Sequence, residues 1–568
     1  MVIFLVFLGG YFSGIVDAQE SLDSTLRKYV KERSLPYRER LATFNRLAAY
    51  GKKQPDRVLS SLLEFFRQEK DRTMKSMLLR KIGAMEGPRV RKLLLETLSG
   101  PDASLKIAVG YNLRKHLDLP LTQQATRLLA DPATSSTLAR SLASALKHLE
   151  DPAAIGWMIA YLPKVKDPRG LGKLLPVIGA IKGEEALEAI LKYGASGSPD
   201  IRVVALDALA GREDPRAIAL LEKASRSRNP EIASVSIRCL ASRLVKDPKL
   251  ADRVLKWAKG GDLTRQLAAL DAIGLGKLEE GLKTLIKLLP NRRWEVRSAA
   301  IMNIRRLRLK EGIEPLIDRL EKETGRLRGD LVDALEDLTG KPFGFTPAQW
   351  KSWWSVKKKV FVVPPKKKED SKNPAGGEES ISTYYGIRVL SERVLFVVDI
   401  SGSMSTKMST RSKGASTLAS KGNATTDTRL EIAKSNLIRV VNGLGPKVYF
   451  NVIFFDSSFR KWKKELTRIT KKSREEAIQF ARQQKASGGT NIYDSLEAAI
   501  QTKKVDTIFL LSDGQASQGK FMATEDILRE IGRLNSKRRI KIHCIALGGS
   551  HSLLEQLAAQ SGGRYVQP

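Results

Sequence analysis

Apolar residues recur with a helical period from about residue 20 to about residue 340, and no run in this region is typical of a strand. Apolar residues in matching helical contexts return every 31 to 33 residues. These positions are Ile82, Leu113, Leu146, Ile178, Leu209, Leu240, Ile273, Ile304 and Leu335. The segments 204–209 (VALDAL) and 268–273 (AALDAI) show the repetition directly. Because each unit can bury one face only against its neighbours, the period predicts an all-α solenoid of about nine repeats over residues 20–340.

An Asp-Pro pair opens several of the predicted helices, as at residues 151–152, 167–168 and 214–215. Aspartate can cap a helix, and proline suits its first position. Together with the run Val296-Arg-Ser-Ala-Ala300, this layout resembles short HEAT repeats. The resemblance implies a HEAT-like scaffold or partner-binding surface, and the sequence does not identify its partner.

Three tryptophans, Trp350, Trp353 and Trp354, follow the last repeat. Because a terminal repeat must hide its open face, residues 341–363 are predicted to form a Trp-rich cap, with an aromatic platform for a ligand as the alternative. Residues 364–380 form a polar linker that is rich in lysine and proline at its start. This linker has no apolar face, so the halves on either side of it are predicted to move and unfold independently.

The pattern then changes to short apolar runs that alternate with helical segments. The predicted strands are 394–398, 448–455, 507–511, 541–546 and 564–566, and the predicted helices are 429–441, 473–484, 493–502, 525–534 and 552–559. Strand–helix alternation favours a parallel sheet with helices on both faces. The sequence therefore predicts a multidomain protein, in which residues 381–568 form a Rossmann-like, doubly wound α/β domain after the solenoid.

The most informative chemistry follows the apolar run 394–398. Asp399, Ser401 and Ser403 place three oxygen side chains at every second position, and Gly402 allows a tight turn that brings them together. Ligands of open α/β sheets bind beyond the carboxyl ends of the strands, where this loop is expected. Oxygen ligands suit a hard divalent cation such as Mg²⁺. Two more stretches support such a site, the small-residue loop 487–491 and the Ser-Asp-Gly turn 512–514.

These residues resemble the metal-ion-dependent adhesion site of the von Willebrand factor type A (VWA) domain, whose pattern is Asp-x-Ser-x-Ser, a distant Thr and a distant Asp. The matching positions are Asp399, Ser401, Ser403, Thr490 and Asp513. The resemblance covers residues 381–568 and implies a bound Mg²⁺, with Mn²⁺ or Ca²⁺ as alternatives. It implies that the three hydroxyls contact the metal, while the two aspartates act largely through water. An acidic side chain of a protein ligand would complete the site.

The resemblance also implies an antiparallel edge strand within residues 459–469. One departure from the family pattern lies between Ser405 and Thr428, where the chain carries a Ser/Thr/Gly-rich insertion. The cations of this insertion are Lys407, Arg411, Lys413 and Lys421. The insertion has too few apolar residues to pack, so it is either a tolerated disordered segment or a basic lid beside the metal face.

The net charge and the cysteine content of the chain bear on which partners and which structural sites it can have. The 568 residues include 98 Lys and Arg against 62 Asp and Glu, a net charge of +36, of which residues 381–568 carry +14. The excess is spread over both halves, which favours an anionic polymer or surface as a partner or reflects a generally basic proteome. The two cysteines, Cys239 and Cys544, lie far apart in apolar contexts, which argues against a disulfide framework or a zinc site.

The N-terminus is apolar from residue 2 to residue 16 and is followed by a small-residue cleavage pattern, although it lacks a basic start. Residues 1–18 are therefore interpreted as a signal peptide, which is too short to span a bilayer comfortably. This interpretation predicts an exported protein, periplasmic or extracellular, rather than a cytoplasmic one.

Sequence motifs of catalysis are absent. The chain has no phosphate-binding Gly-x-x-x-x-Gly-Lys loop, no His-Glu-x-x-His and no Gly-x-Ser-x-Gly, and it has no specific nucleic-acid-binding motif. We therefore expect no catalytic residues and no organic cofactor. The favoured interpretation is a non-enzymatic interaction or adhesion protein that captures an acidic ligand through Mg²⁺. The alternatives are an accessory subunit of an ATPase or chelatase-type complex and a polyanion-binding protein.

Overall fold

The computed structural model describes residues 22–32, 54–195, 198–365, 382–408 and 427–568, together with Arg40, Thr43, Asn45 and Leu47. The predicted signal peptide, most of the predicted linker and most of the basic insertion lie outside these residues. The chain divides into two compact units, residues 1–193 and residues 194–568. None of the helices in the described part of the chain combines the length and apolar composition needed to cross a bilayer.

The first unit is built from helices. They are α1 (Leu22–Lys31), α2 (Pro55–Gln68), α3 (Arg72–Ile82), α4 (Pro88–Ser99), α5 (Ala103–Gly110), α6 (Leu119–Ala130), α7 (Ser136–Leu146), α8 (Pro152–Tyr161), α9 (Pro168–Ala180) and α10 (Glu184–Ala195). From α3 to α7, each helix packs on the next helix but one. The Asp-Pro pairs act as predicted, since the carboxylates of Asp151 and Asp167 accept hydrogen bonds from first-turn backbone N–H groups.

The helical layout continues in the second unit. Its helices are α11 (Pro199–Asp207), α12 (Pro215–Ser225), α13 (Pro230–Cys239), α14 (Pro248–Lys259), α15 (Leu263–Leu275), α16 (Leu282–Leu288), α17 (Trp294–Leu307), α18 (Ile313–Leu320) and α19 (Gly325–Thr339). Alternate helices α11, α13, α15, α17 and α19 pack on one another in series. All nine predicted repeat positions are fully buried. The solenoid-like fold is therefore confirmed for the helices α1 to α10 of the first unit and α11 to α19 of the second.

The tryptophans lie in and around α20 (Pro347–Lys357), which packs on α18. Trp350 is fully buried, and its indole N–H donates to the Gly344 carbonyl at 2.9 Å. Trp354 is also buried, while Trp353 and Phe361 pack edge-to-face beside it. These aromatic side chains pack against one another beside α18, which is consistent with the predicted cap.

The C-terminal region is a mixed α/β sheet, as predicted. A small hairpin, β1 (Thr383–Tyr384) and β2 (Ile387–Arg388), precedes the main strands. These are β3 (Arg393–Asp399), β4 (Tyr449–Phe455), β5 (Phe459–Lys461), β6 (Thr467–Arg468), β7 (Thr507–Ser512), β8 (Lys541–Ala546) and β9 (Tyr565–Val566). The strand order is β5-β4-β3-β7-β8-β9. Strands β3, β4, β7, β8 and β9 are parallel, whereas the expected edge strand is two short pieces, β5 and β6, both antiparallel to β4.

Helices cover both faces of this sheet. They are α21 (Arg429–Gly443), α22 (Lys471–Arg482), α23 (Ile492–Gln501), α24 (Thr524–Arg538) and α25 (Ser552–Ser561). The side chains of β3 alternate between two cores, one shared with α21 and α22 and the other with α23, α24 and α25. A strand that is buried on both faces has a continuous run of apolar residues, and for this reason the sequence of residues 394–398 predicts a strand.

The prediction that the halves on either side of the linker move independently did not include an interface, and residues 194–568 contain one. The guanidinium of Arg326 in α19 donates to the carbonyl of Asp506 at 3.0 Å. Arg539, before β8, pairs with Asp271 of α15 at 2.7 Å. Arg564, before β9, pairs with Asp333 of α19 at 2.9 Å. These contacts join the last solenoid helices to the amino ends of the strands. The contacts are polar and lie outside the linker, so the composition of the linker could not reveal them.

Candidate metal-binding site

Three loops meet at the carboxyl edge of the parallel strands. They are residues 399–405 after β3, residues 487–491 before α23, and residues 512–518 after β7. The Gly402 N–H donates to the Gly488 carbonyl at 3.0 Å and thereby joins the first two loops. The Thr490 N–H donates to Ser517 Oγ at 2.9 Å, and the Ser517 N–H donates back to the Thr490 carbonyl at 3.0 Å. The loops are therefore held together by their own backbones.

Asp399 lies at the centre of this arrangement and is fully buried. One carboxylate oxygen accepts the Ser401 N–H at 2.7 Å, and the other accepts the Ser512 hydroxyl at 2.5 Å. Burial raises the pKa of Asp399 to about 6, although these hydrogen bonds oppose the shift. An ionised carboxylate is thus costly here unless a cation compensates it.

The remaining predicted residues lie around Asp399. The hydroxyls of Ser401 and Ser403 are 3.1 Å apart, and the Ser403 hydroxyl donates to Asp513 Oδ1 at 2.7 Å. A Cβ built on Gly514 would lie 3.7 Å from the Thr490 hydroxyl and 3.8 Å from the Ser403 hydroxyl. The structure therefore brings all five predicted residues to one edge of the sheet.

The donor set fits a hard cation. It offers three neutral hydroxyls and two carboxylates, which is the oxygen chemistry that Mg²⁺ and Mn²⁺ prefer. The described residues contain no group of three or more His, Cys, Asp or Glu side chains placed to hold a metal. A cation at this edge would consequently depend on hydroxyls, water and an added ligand to complete its coordination.

Sequence reasoning missed three groups at this edge. Arg429, the first residue of α21, donates to Asp513 Oδ2 at 2.6 Å. Asp456, directly after β4, accepts from Arg460 at 2.7 Å. His551, in the loop between β8 and α25, has Nε2 at 3.0 Å from the Asp513 carbonyl oxygen. Asp456 and His551 each follow a predicted strand within a few residues, and that position is the signal that could have identified them.

The described ends of the basic insertion lie beside the site. Lys407 forms an antiparallel bridge with Thr428, and the Met408 N–H donates to the Asp427 carbonyl at 3.0 Å. The Arg429 N–H donates to the Thr406 carbonyl at 3.0 Å. Both ends of the insertion are thereby tied to the loop that carries Asp399. The other three predicted cations, at positions 411, 413 and 421, lie outside the described residues.

Comparison with known proteins identifies similarity over the C-terminal region. Residues 392–567 match the family described as von Willebrand factor type A domain. The chain is 25% identical over 215 residues to inter-alpha-trypsin inhibitor heavy chain 4 of Mus musculus, which covers 34% of this chain and 20% of that protein. It is 31% identical over 175 residues to von Willebrand factor A domain-containing protein 5A of Rattus norvegicus, which covers 30% of this chain and 19% of that protein. The chain thus spans about a fifth of the length of these curated relatives.

Among solved structures, the chain is similar to a von Willebrand factor type A protein from Catenulispora acidiphila. The identity is 19%, and the match covers 32% of this chain and 39% of that chain. The TM-score is 0.26.

Proposed function

We propose, on the premise that this chain contains a von Willebrand factor type A domain at residues 392–567, that it is a non-enzymatic interaction protein. The domain would capture an acidic group of a protein ligand through a bound Mg²⁺, and the helical units would act as a scaffold or a second partner surface. The observation that carries the proposal is the convergence of five oxygen-bearing side chains from three loops at one sheet edge.

The residues have distinct tasks in this proposal. Ser401, Ser403 and Thr490 supply neutral hydroxyl oxygens, and Asp399 and Asp513 supply negative charge, largely through water. A bound Mg²⁺ supplies a positive centre with a position open for a ligand oxygen. Two carboxylates and three hydroxyls leave room for an anionic oxygen from outside, which favours an aspartate or glutamate of a partner.

We further propose that the protein is not an enzyme and that it acts after export. In this proposal both carboxylates serve the cation or its waters, so neither is assigned the role of a general base. Export rests on residues 1–18 alone. A cleaved N-terminus in the secreted or periplasmic fraction, identified by mass spectrometry, would support it, and an uncleaved cytoplasmic protein would oppose it.

The central test measures stabilisation of the full chain by Mg²⁺ or Mn²⁺. A cation that binds only the folded state stabilises it by RT ln(1 + [L]/Kd), about 2.7 kcal/mol at a hundredfold excess over Kd. Asp399→Ala should abolish the shift in melting temperature, whereas Glu555→Gln, an exposed carboxylate of α25, should leave it intact. A parent chain that melts identically with Mg²⁺ and with EDTA would remove the metal from the account. Ligand binding that survives EDTA and falls steeply with salt would favour the polyanion alternative.

A further inference from the structure

Arg429 reaches across the carboxyl edge of the sheet to the loop after β7. Its Nη1 donates to Asp513 Oδ2 at 2.6 Å. The Asp513 side chain is fully buried in this pair, and that of Arg429 is 18% exposed. The other oxygen of Asp513 accepts from Ser403. One of the two carboxylates that the site offers to a cation is therefore already paired with a cation of the chain itself.

The guanidinium of Arg429 lies in a confined position. A Cβ on Gly548 would lie 2.2 Å from Arg429 Nη2, so the guanidinium contacts the bare backbone of Gly548, whose φ is +83°. The Nε–H of Arg429 is buried and meets no acceptor among the described residues. Burying a donor without a partner costs free energy, so the attraction to Asp513 must hold the side chain in place.

Arg429 also changes the charge balance of the site. Asp399 and Asp513, when both are ionised, bring two negative charges, and Arg429 offsets one of them. A divalent cation added to this set leaves a net charge of +1. An incoming carboxylate would neutralise that charge, whereas water would not.

We propose that Arg429 competes with a bound divalent cation for Asp513, so that stable loading of the site depends on an anionic ligand. This inference rests on the proposed function, since it concerns the same site. It adds a reason why the ligand would be anionic, namely the net positive charge that Arg429 leaves at the loaded site. Arg429 is in this view a residue that sets the affinity of the site, and it does not itself contact the ligand.

The test titrates the full chain with Mn²⁺ alone, with free Mn²⁺ followed by electron paramagnetic resonance. Arg429→Gln should tighten Mn²⁺ binding on the order of tenfold, because a competing charge is removed. Arg429→Lys keeps the charge and should stay within about threefold of the parent. The matched control is Arg460→Gln, which removes a cation paired with Asp456 at the same edge and should leave the affinity unchanged. Circular dichroism of each variant checks that it folds.

The outcomes separate the two proposals. Tighter binding in Arg429→Gln alone supports the competition. Equal tightening in Arg460→Gln, or unchanged or weaker binding in Arg429→Gln, overturns it and leaves the metal site standing. Absence of Mn²⁺ binding in both the parent and Arg429→Gln overturns both proposals.

A second measurement on the parent chain does not depend on any variant. Acetate, used as a carboxylate probe against chloride at equal ionic strength, should tighten Mn²⁺ binding several-fold. An affinity that is the same in acetate and chloride overturns the dependence on an anionic ligand.

Discussion

Asp399 at the carboxyl edge and Asp333 at the amino edge of the parallel strands differ in how their negative charge is compensated. At the carboxyl edge, burial raises the pKa of Asp399 to about 6, and its hydrogen-bonding partners are neutral. At the amino edge, burial alone would raise the pKa of Asp333, but Lys541 and Arg564 beside it lower that pKa to about 2. The amino edge holds compensated charges that join the strands to the solenoid helices. The carboxyl edge holds a carboxylate that lacks a directly paired cation, which is typical of a binding site.

The largest change in the free energy of unfolding is expected at the amino edge, where Asp333→Asn should destabilise the chain. The Asp333 side chain is three-quarters buried, and its neutralisation removes the negative charge that pairs with Arg564, while Lys541 keeps its pair with Asp330. Breaking a buried pair by removing one partner should lower the free energy of unfolding by roughly 3 kcal/mol. The control is Glu314→Gln, which breaks an exposed pair with Lys358 and should cost less than about 1 kcal/mol. Thermal and urea unfolding of both variants measure these losses. Equal losses of stability in the two variants would show that the amino edge has no special structural role.

At the carboxyl edge, the substitution Asp399→Asn is expected to raise the free energy of unfolding when it is measured in EDTA. The folded-state pKa of Asp399 is raised, so the folded chain binds the extra proton and loses stability as pH rises from about 4 through about 6. At pH 8 without metal, Asp399→Asn should therefore stabilise the chain, by about 1.4 kcal/mol for each pKa unit of the shift that is relieved. The variant and parent should converge near pH 4. A destabilised variant at pH 8 would show that Asp399 is a structural acid like Asp333.

The smallest effect on stability is expected from Glu336, because this side chain is only half-buried and solvent screens its charge. Burial, with Asp333 nearby, raises the pKa of Glu336 in α19 to about 7, although Arg564 and Arg388 oppose the shift. Its Oε1 is buried without a hydrogen-bond donor among the described residues. A raised folded-state pKa means that stability falls as pH rises from about 4.5 through about 7. Glu336→Gln should raise the melting temperature at pH 8 by a few degrees and leave it unchanged at pH 4.5. A pH-independent effect would show that Glu336 is fully compensated.

The contacts at the amino edge also change the expected response of the solenoid helices to a ligand bound at the carboxyl edge. Because Arg326, Arg539 and Arg564 join the solenoid helices to the strands, stabilisation at the carboxyl edge should reach α15 and α19 through a shared rigid sheet. The polar linker, taken alone, suggested the reverse. Linker composition reports only on the linker, and an interface elsewhere in the chain decides whether domains are coupled.

Local pattern was sufficient for most of the fold. The nine repeat positions are all fully buried because a repeated unit must bury the same face each time. The run 394–398 lies within a central strand because burial on both faces requires consecutive apolar residues. The placement of Asp399 and Asp513 at one edge also followed from sequence, since the loops that follow parallel strands lie there, whereas Thr490 was assigned only through the resemblance to the VWA site.

Tertiary structure decided the charged contacts. Arg429 and Asp513 are 84 residues apart, and Arg564 and Asp333 are 231 residues apart. Charged residues are common on any surface, and an ion pair between distant positions has no period that a sequence pattern could reveal. The fold follows from where the chain must exclude water, which is a property of each segment. Which carboxylate is compensated and which is left available follows from the tertiary neighbours of each charge, and only the assembled structure supplies those.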